Sequence, residues 1–129
     1  MNKKTLMLVL LFLMTGTLMA QEPTITPLMS KDLANLPGKE VLMITVEYPP
    51  GGADPIHRHD AQAFVYVLEG SIVMQVKGEK EVTLTPGQTF YEAPGDVHTV
   101  SRNASTTAPA RFLVFFVRPQ GAPTTVPAN

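Results

Sequence analysis

From residue 40 onward, apolar and polar positions alternate in short runs broken by glycine and proline. The runs are "EVLMITVEY" (40–48), "AFVYVLE" (63–69), "SIVMQVK" (71–77), "EVTLT" (81–85), "TFYEA" (89–93), "VHTVSR" (97–102) and "RFLVFFVR" (111–118). Their aromatic and β-branched content predicts strands, and the turn residues at this spacing predict an all-β sandwich or barrel. In the 71–77 run, Ile72, Met74 and Val76 share one face. The 111–118 run is apolar throughout, which predicts burial on both faces, one of them against a second copy of the chain. "MSKDLANLP" (29–37) reads as the single helical turn, and the proline-rich 119–129 as an extended arm unsuited to a central strand.

The first twenty residues follow a different pattern. Lys3 and Lys4 precede a short apolar run, Leu6 to Met14, and Ala20 supplies a small residue before Gln21. This is the pattern of a cleaved export signal, and the run falls short of the roughly 20 apolar residues of a membrane span. The expected organisation is a signal peptide (1–20), an N-terminal arm (21–39), a β-barrel (40–118) and a C-terminal arm (119–129), in the periplasm or secreted, with no stable membrane insertion after cleavage.

Without Lys3 and Lys4, eight basic residues face eleven acidic ones, a net charge of −3. That balance argues against nucleic acid as a partner. The chain has no cysteine, which excludes disulfides, thiol nucleophiles, Fe–S clusters and thiolate zinc sites.

The chemistry rests on the histidines, of which there are three. His57 and His59 stand two residues apart in "GGADPIHRHDAQAFVYVLEG", so in extended chain they project from one face. His98 follows the turn "APGD" and opens the next strand. Three neutral imidazoles converging inside a small barrel would bind a divalent first-row metal: Fe, Mn, Ni, Cu or Zn. Arg58 and Asp60 alternate to the opposite face.

These two stretches resemble the motifs of the small single-domain cupins. Gly51, His57, His59 and Gly70 fall in register with the first motif, and Gly87, Gly95 and His98 with the second, Asn103 standing one residue late. The resemblance spans about residues 40 to 118 and implies a cupin β-barrel of the jelly-roll type. It also implies a metal-binding glutamate seven residues before Gly70, where this chain has Ala63. The expected ligand set is therefore His57, His59 and His98, with Gln62 supplying its amide oxygen after a one-residue shift of register. Glu92, or an oxygen from water or substrate, is the alternative.

The function expected from these residues is metal binding beside a small-molecule pocket. The alternative is an enzyme, a metal-dependent dioxygenase or an isomerase or lyase acting on a small oxygenated substrate. A metal-free small-molecule binder is the third reading. Edge strands that need covering, together with the apolar 111–118 run, predict a homodimer.

Overall fold

The computed structural model describes residues 21–129; the expected signal segment lies outside the described residues. Ten strands make up the fold: β1 (Thr24–Asp32), β2 (Lys39–Tyr48), β3 (His57–Arg58), β4 (Gln62–Glu69), β5 (Ile72–Val76), β6 (Val82–Leu84), β7 (Thr89–Glu92), β8 (Val97–Asn103), β9 (Ala110–Pro119) and β10 (Val126–Pro127). They form two five-stranded antiparallel sheets, ordered β1-β2-β9-β4-β7 and β10-β3-β8-β5-β6. Among the described residues there is no helix, and so none long and apolar enough to cross a membrane.

Alternation builds the core. Register aligns Ile44, Val114 and Val65 across β2, β9 and β4, and Val46, Phe112 and Val67 one step along. All six are buried, and Ile72, Met74 and Leu84 close on them from the other sheet. A one-residue slip would turn each row to solvent, so the pattern itself fixes the register.

Two expectations change and one gains detail. The run 29–37 does not begin as a helical turn: Met29–Asp32 continue β1, paired with β2 from Thr24↔Glu47 to Asp32↔Glu40. The hydrogen-bonding edge of β2 outcompetes a weak local helix preference, and an irregularity between Pro27 and Met29 accommodates the proline, which has no N–H. The C-terminal arm contributes a short edge strand, Val126↔Arg58 and Pro127↔His57. Finally, β9 is not buried on both faces: Phe112, Val114 and Phe116 point inward, whereas Leu113, Phe115 and Val117 are only half-buried.

Gly70 makes the turn between β4 and β5 at φ +69°, and a Cβ there would lie 2.5 Å from the Pro109 carbonyl oxygen and 2.9 Å from Ala110 Cα. Backbone strain and overpacking each cost about 1–3 kcal/mol. We therefore expect Gly70→Ala to lose about 2–4 kcal/mol in urea denaturation; a loss under about 1 kcal/mol would show that the turn relaxes freely.

Candidate metal centre

The two histidine stretches meet because β3 and β8 pair directly, with His57 opposite His98. Their rings stack with centroids 5.0 Å apart, and the His59 ring stands 4.9 Å from that of His57 and 5.4 Å from that of His98. The turn after β7 is held from both sides. The Ala93 N–H donates to Asp96 Oδ2 (2.9 Å), and the Gly95 N–H donates to the His59 carbonyl (3.0 Å). The turn before His57 is held by Asn103, whose amide donates to the carbonyls of Tyr48, Pro49 and Ala108.

The fourth group comes from the opposite sheet. Glu92 is the last residue of β7, and its Oε2 lies 3.1 Å from both His59 Nε2 and His98 Nε2. Despite these distances, Glu92 Oε2 and both ring nitrogens of His98 have no hydrogen-bond partner among the described residues, and all are buried. Unpaired buried polar atoms are costly and rare. Here a carboxylate oxygen and two imidazole nitrogens converge with ligand atoms within 4.8 Å of one another, a donor set that fits a divalent metal ion.

The remaining ring nitrogens set the tautomers. A carbonyl can only accept, so His57 Nδ1–H donates to Pro55 (2.8 Å) and His59 Nδ1–H to Thr124 (2.5 Å). In their neutral form both rings therefore carry an unprotonated Nε2.

Gln62 is not brought to this cluster. It is exposed on the outer face of β4 and accepts a hydrogen bond from the Tyr91 hydroxyl (3.3 Å). The shift of register it required does not occur, because β4 runs unbroken against β9 from Gln62↔Val117 to Val67↔Phe112. Arg58 and Asp60 stay outside the donor set, as alternation requires.

A small cavity of about 50 Å³ adjoins the donors. Apolar side chains such as Val46, Val65, Met74 and Val114 line most of it, together with His57, His59 and Glu92. Sequence patterning does not mark four of its polar wall residues: Asp54, Ser101, Thr124 and Thr125. Tyr48, fully buried, hydrogen-bonds to both the Asp54 carboxylate and Ser101 Oγ, the latter at 2.8 Å. Burial and the neighbouring Asp54 charge push its phenol well above the usual range, so it stays a donor. Neither a metal motif nor periodicity marks these positions; "GGAD" before the first histidine is the one local hint.

The model of the cupin domain matches residues 44–116. The chain belongs to the cupin family. No curated protein matches it. Among solved structures, this cupin resembles a protein of Thermus thermophilus, at 29% identity over 76% of this chain and 84% of that one, with a TM-score of 0.60. It also resembles an oxalate oxidase in complex with the substrate analogue glycolate, at 26% identity over 81% of this chain and 54% of that one, TM-score 0.62. A DMSP lyase of Ruegeria pomeroyi shares the fold at 24% identity over 67% of this chain and 42% of that one, TM-score 0.58. This cupin spans less than two thirds of the length of either enzyme.

Its departure from the family pattern at Ala63 has a geometric answer. Ala63 on β4 is the register partner of Glu92 on β7. Both are buried, on the same rung and the same face of the sheet. The strand beside it thus carries a carboxylate on the rung where the resemblance would place one.

Burial opposes charge on Glu92, yet contact with His59 and His98 outweighs it and draws the carboxyl down from 4.5 to about 2. In the metal-free protein, the stabilisation from this group is full above about pH 4.5 and is lost as pH falls toward 2. His59 is raised above 6.5, burial opposing and the Glu92 contact prevailing, so its contribution is full below that pH and lost above. Burial lowers His57 below 6.5, giving the opposite sign. The acid limb therefore belongs to Glu92: the stability gap between wild type and Glu92→Gln should shrink as metal-free protein is taken from pH 4.5 to 2. Urea denaturation across that range checks it, and a gap that ignores pH would count against the contact.

Proposed function

We propose that this cupin is an exported protein that holds a divalent transition metal through His57, His59, His98 and Glu92, beside a pocket for a small oxygenated ligand. The observation that carries the reading is the convergence of buried, unpaired Glu92 Oε2 and His98 Nε2 with His59 Nε2. His57 lies outside that cluster of converging ligand atoms; we assign it as the fourth donor because its ring stacks on His98 at 5.0 Å and the bond from its Nδ1 leaves Nε2 for a metal. The lysine-and-leucine pattern of residues 3–14 supports export to the periplasm or medium.

A bound dication would supply Lewis acidity, or redox chemistry if the metal is iron, manganese or copper. Three neutral imidazoles and one carboxylate leave the centre one positive charge, which favours an anionic ligand. The cavity of about 50 Å³ holds only a few non-hydrogen atoms without movement of its walls. A short carboxylate fits both limits, and the likeness to an oxalate oxidase that binds glycolate supports the same class.

A second reading, metal-dependent catalysis by a dioxygenase, isomerase or lyase, is favoured by Asp54. With Glu92 among the ligands, Asp54 is the remaining carboxylate on the cavity wall, and Tyr48 donates to it. A ligand held by a metal in this cavity would lie beside that proton acceptor, which would then serve as a general base.

The homodimer reading is supported by the outer face of the first sheet. Phe64, Tyr66, Leu68 and Tyr91 are exposed there, and Leu113 and Phe115 are half-buried. Equilibrium sedimentation should give a dimer at micromolar concentration, and Tyr91→Glu combined with Phe64→Glu should give a monomer. A wild-type monomer would remove this part of the proposal.

The test of the centre is metal titration against a chelator. Glu92→Ala should weaken binding by more than about 100-fold, beyond the roughly 10- to 100-fold typical of outer-shell losses. Gln62→Ala should leave affinity within twofold. Adding Ala63→Glu to Glu92→Ala returns a carboxylate to the same rung and should recover part of the loss. Equal losses for Gln62→Ala and Glu92→Ala would sink the assignment.

A further inference from the structure

Residues 119–129 lie beyond the span that matches the family, and they form part of the cavity wall. Both ends of this arm are fastened. At its base the Arg118 guanidinium meets Glu40 (2.9 Å) in a largely buried pair. The Gly121 N–H donates to the same Glu40 oxygen (3.1 Å), Arg118 donates to the Ala122 carbonyl (2.5 Å), and the Gln120 N–H donates to the Gly38 carbonyl (3.0 Å). At its far end β10 pairs with β3, the strand that carries His57.

Between these fastenings the arm passes over the metal centre. Thr124 and Thr125 line the cavity, and the Thr124 carbonyl accepts the Nδ1–H of His59. Among the described residues, that is the hydrogen bond made by residues 123–125. The same ring packs at 5.0 Å between centroids against Phe116. The contact thus fixes which nitrogen of His59 carries the proton and where its other nitrogen points.

We infer that the C-terminal arm positions His59 through the Thr124 backbone carbonyl, so that seating of the arm and binding of metal strengthen each other. The inference rests on the metal-binding reading of the site. Thr124 is a positioning residue, since it acts on the metal only through the imidazole. An imidazole that donates its Nδ1 proton to a carbonyl is held in the tautomer that coordinates through Nε2 and is made more basic. Coupling of this kind is reciprocal: what the arm adds to metal affinity, the metal must add to the arm's docking. The side chain of Thr124 is not used, so the identity of the residue there can vary while the device is kept.

The test leaves the chain full-length and alters one atom. Replacing Thr125 by its α-hydroxy-acid counterpart turns the Thr124 carbonyl into an ester carbonyl, a weaker acceptor, and removes an N–H that has no partner among the described residues. Zinc(II) is the probe, in competition with a chelator. The expected result is about tenfold weaker zinc binding, mainly through faster release, with the melting temperature of metal-free protein nearly unchanged. Affinity within twofold of wild type overturns the inference while the metal reading stands. If wild type itself takes up no zinc, the metal reading fails and the inference falls with it. Should the ester protein fail to fold, ¹⁵N imidazole NMR of unmodified, zinc-loaded protein decides. Zinc at His59 Nε2 with a protonated Nδ1 supports the inference, and zinc at Nδ1 refutes it.

Discussion

A carboxylate buried between two apolar sheets is the constraint around which this molecule is arranged. Glu92 is 4% exposed, and the free-energy cost of holding an ion there is severe unless partners surround it. The fold meets that cost with imidazoles from the other sheet, His59 and His98, each 3.1 Å from the same oxygen. The contacts outweigh the burial cost, yet Glu92 Oε2 and both ring nitrogens of His98 keep no hydrogen-bond partner among the described residues. A cation shared by the cluster would give Glu92 Oε2 and one His98 nitrogen a partner.

The scaffold that holds these groups is built from loops pinned by single residues. Asn103 satisfies three carbonyls on two loops, and its Oδ1 accepts the Ser105 N–H (2.8 Å). Glu40 gathers Ser30, Arg118 and Gly121 at the base of the arm. Such hubs let short irregular segments carry functional groups with the precision of strands, because each leaves few backbone groups free to move. Tyr48 does the same for Asp54 and Ser101 from inside the core.

Most of the fold, and the histidines of the candidate site, could be read from the sequence. The seven runs from residue 40 onward became strands β2 and β4 to β9 within a residue or so at each end, since alternation and glycine turns are local signals. The strand at 24–32 escaped notice because it owes its form to the free edge of β2, and its own residues are exposed throughout. The histidine pair and His98 were legible from spacing. Between the two candidates named from the sequence, Gln62 is the neighbour of Ala63 along the chain and faces outward, whereas Glu92 is its neighbour across the ladder and faces the histidines; cross-strand register is not a local property. Thr124 was invisible for a further reason. It acts through a backbone carbonyl, and every residue has one.

The rung shared by Ala63 and Glu92 has a consequence for how members of this family are sorted. A pattern that demands an acidic residue at one place in the first motif would file this chain among those that have lost their centre. Yet two side chains facing each other across one pair of strands project into nearly the same volume. The negative charge can therefore migrate between strands while the surroundings keep their shape. Apparently vacated positions in other barrels are best judged by what stands opposite them in the ladder before they are counted as dead.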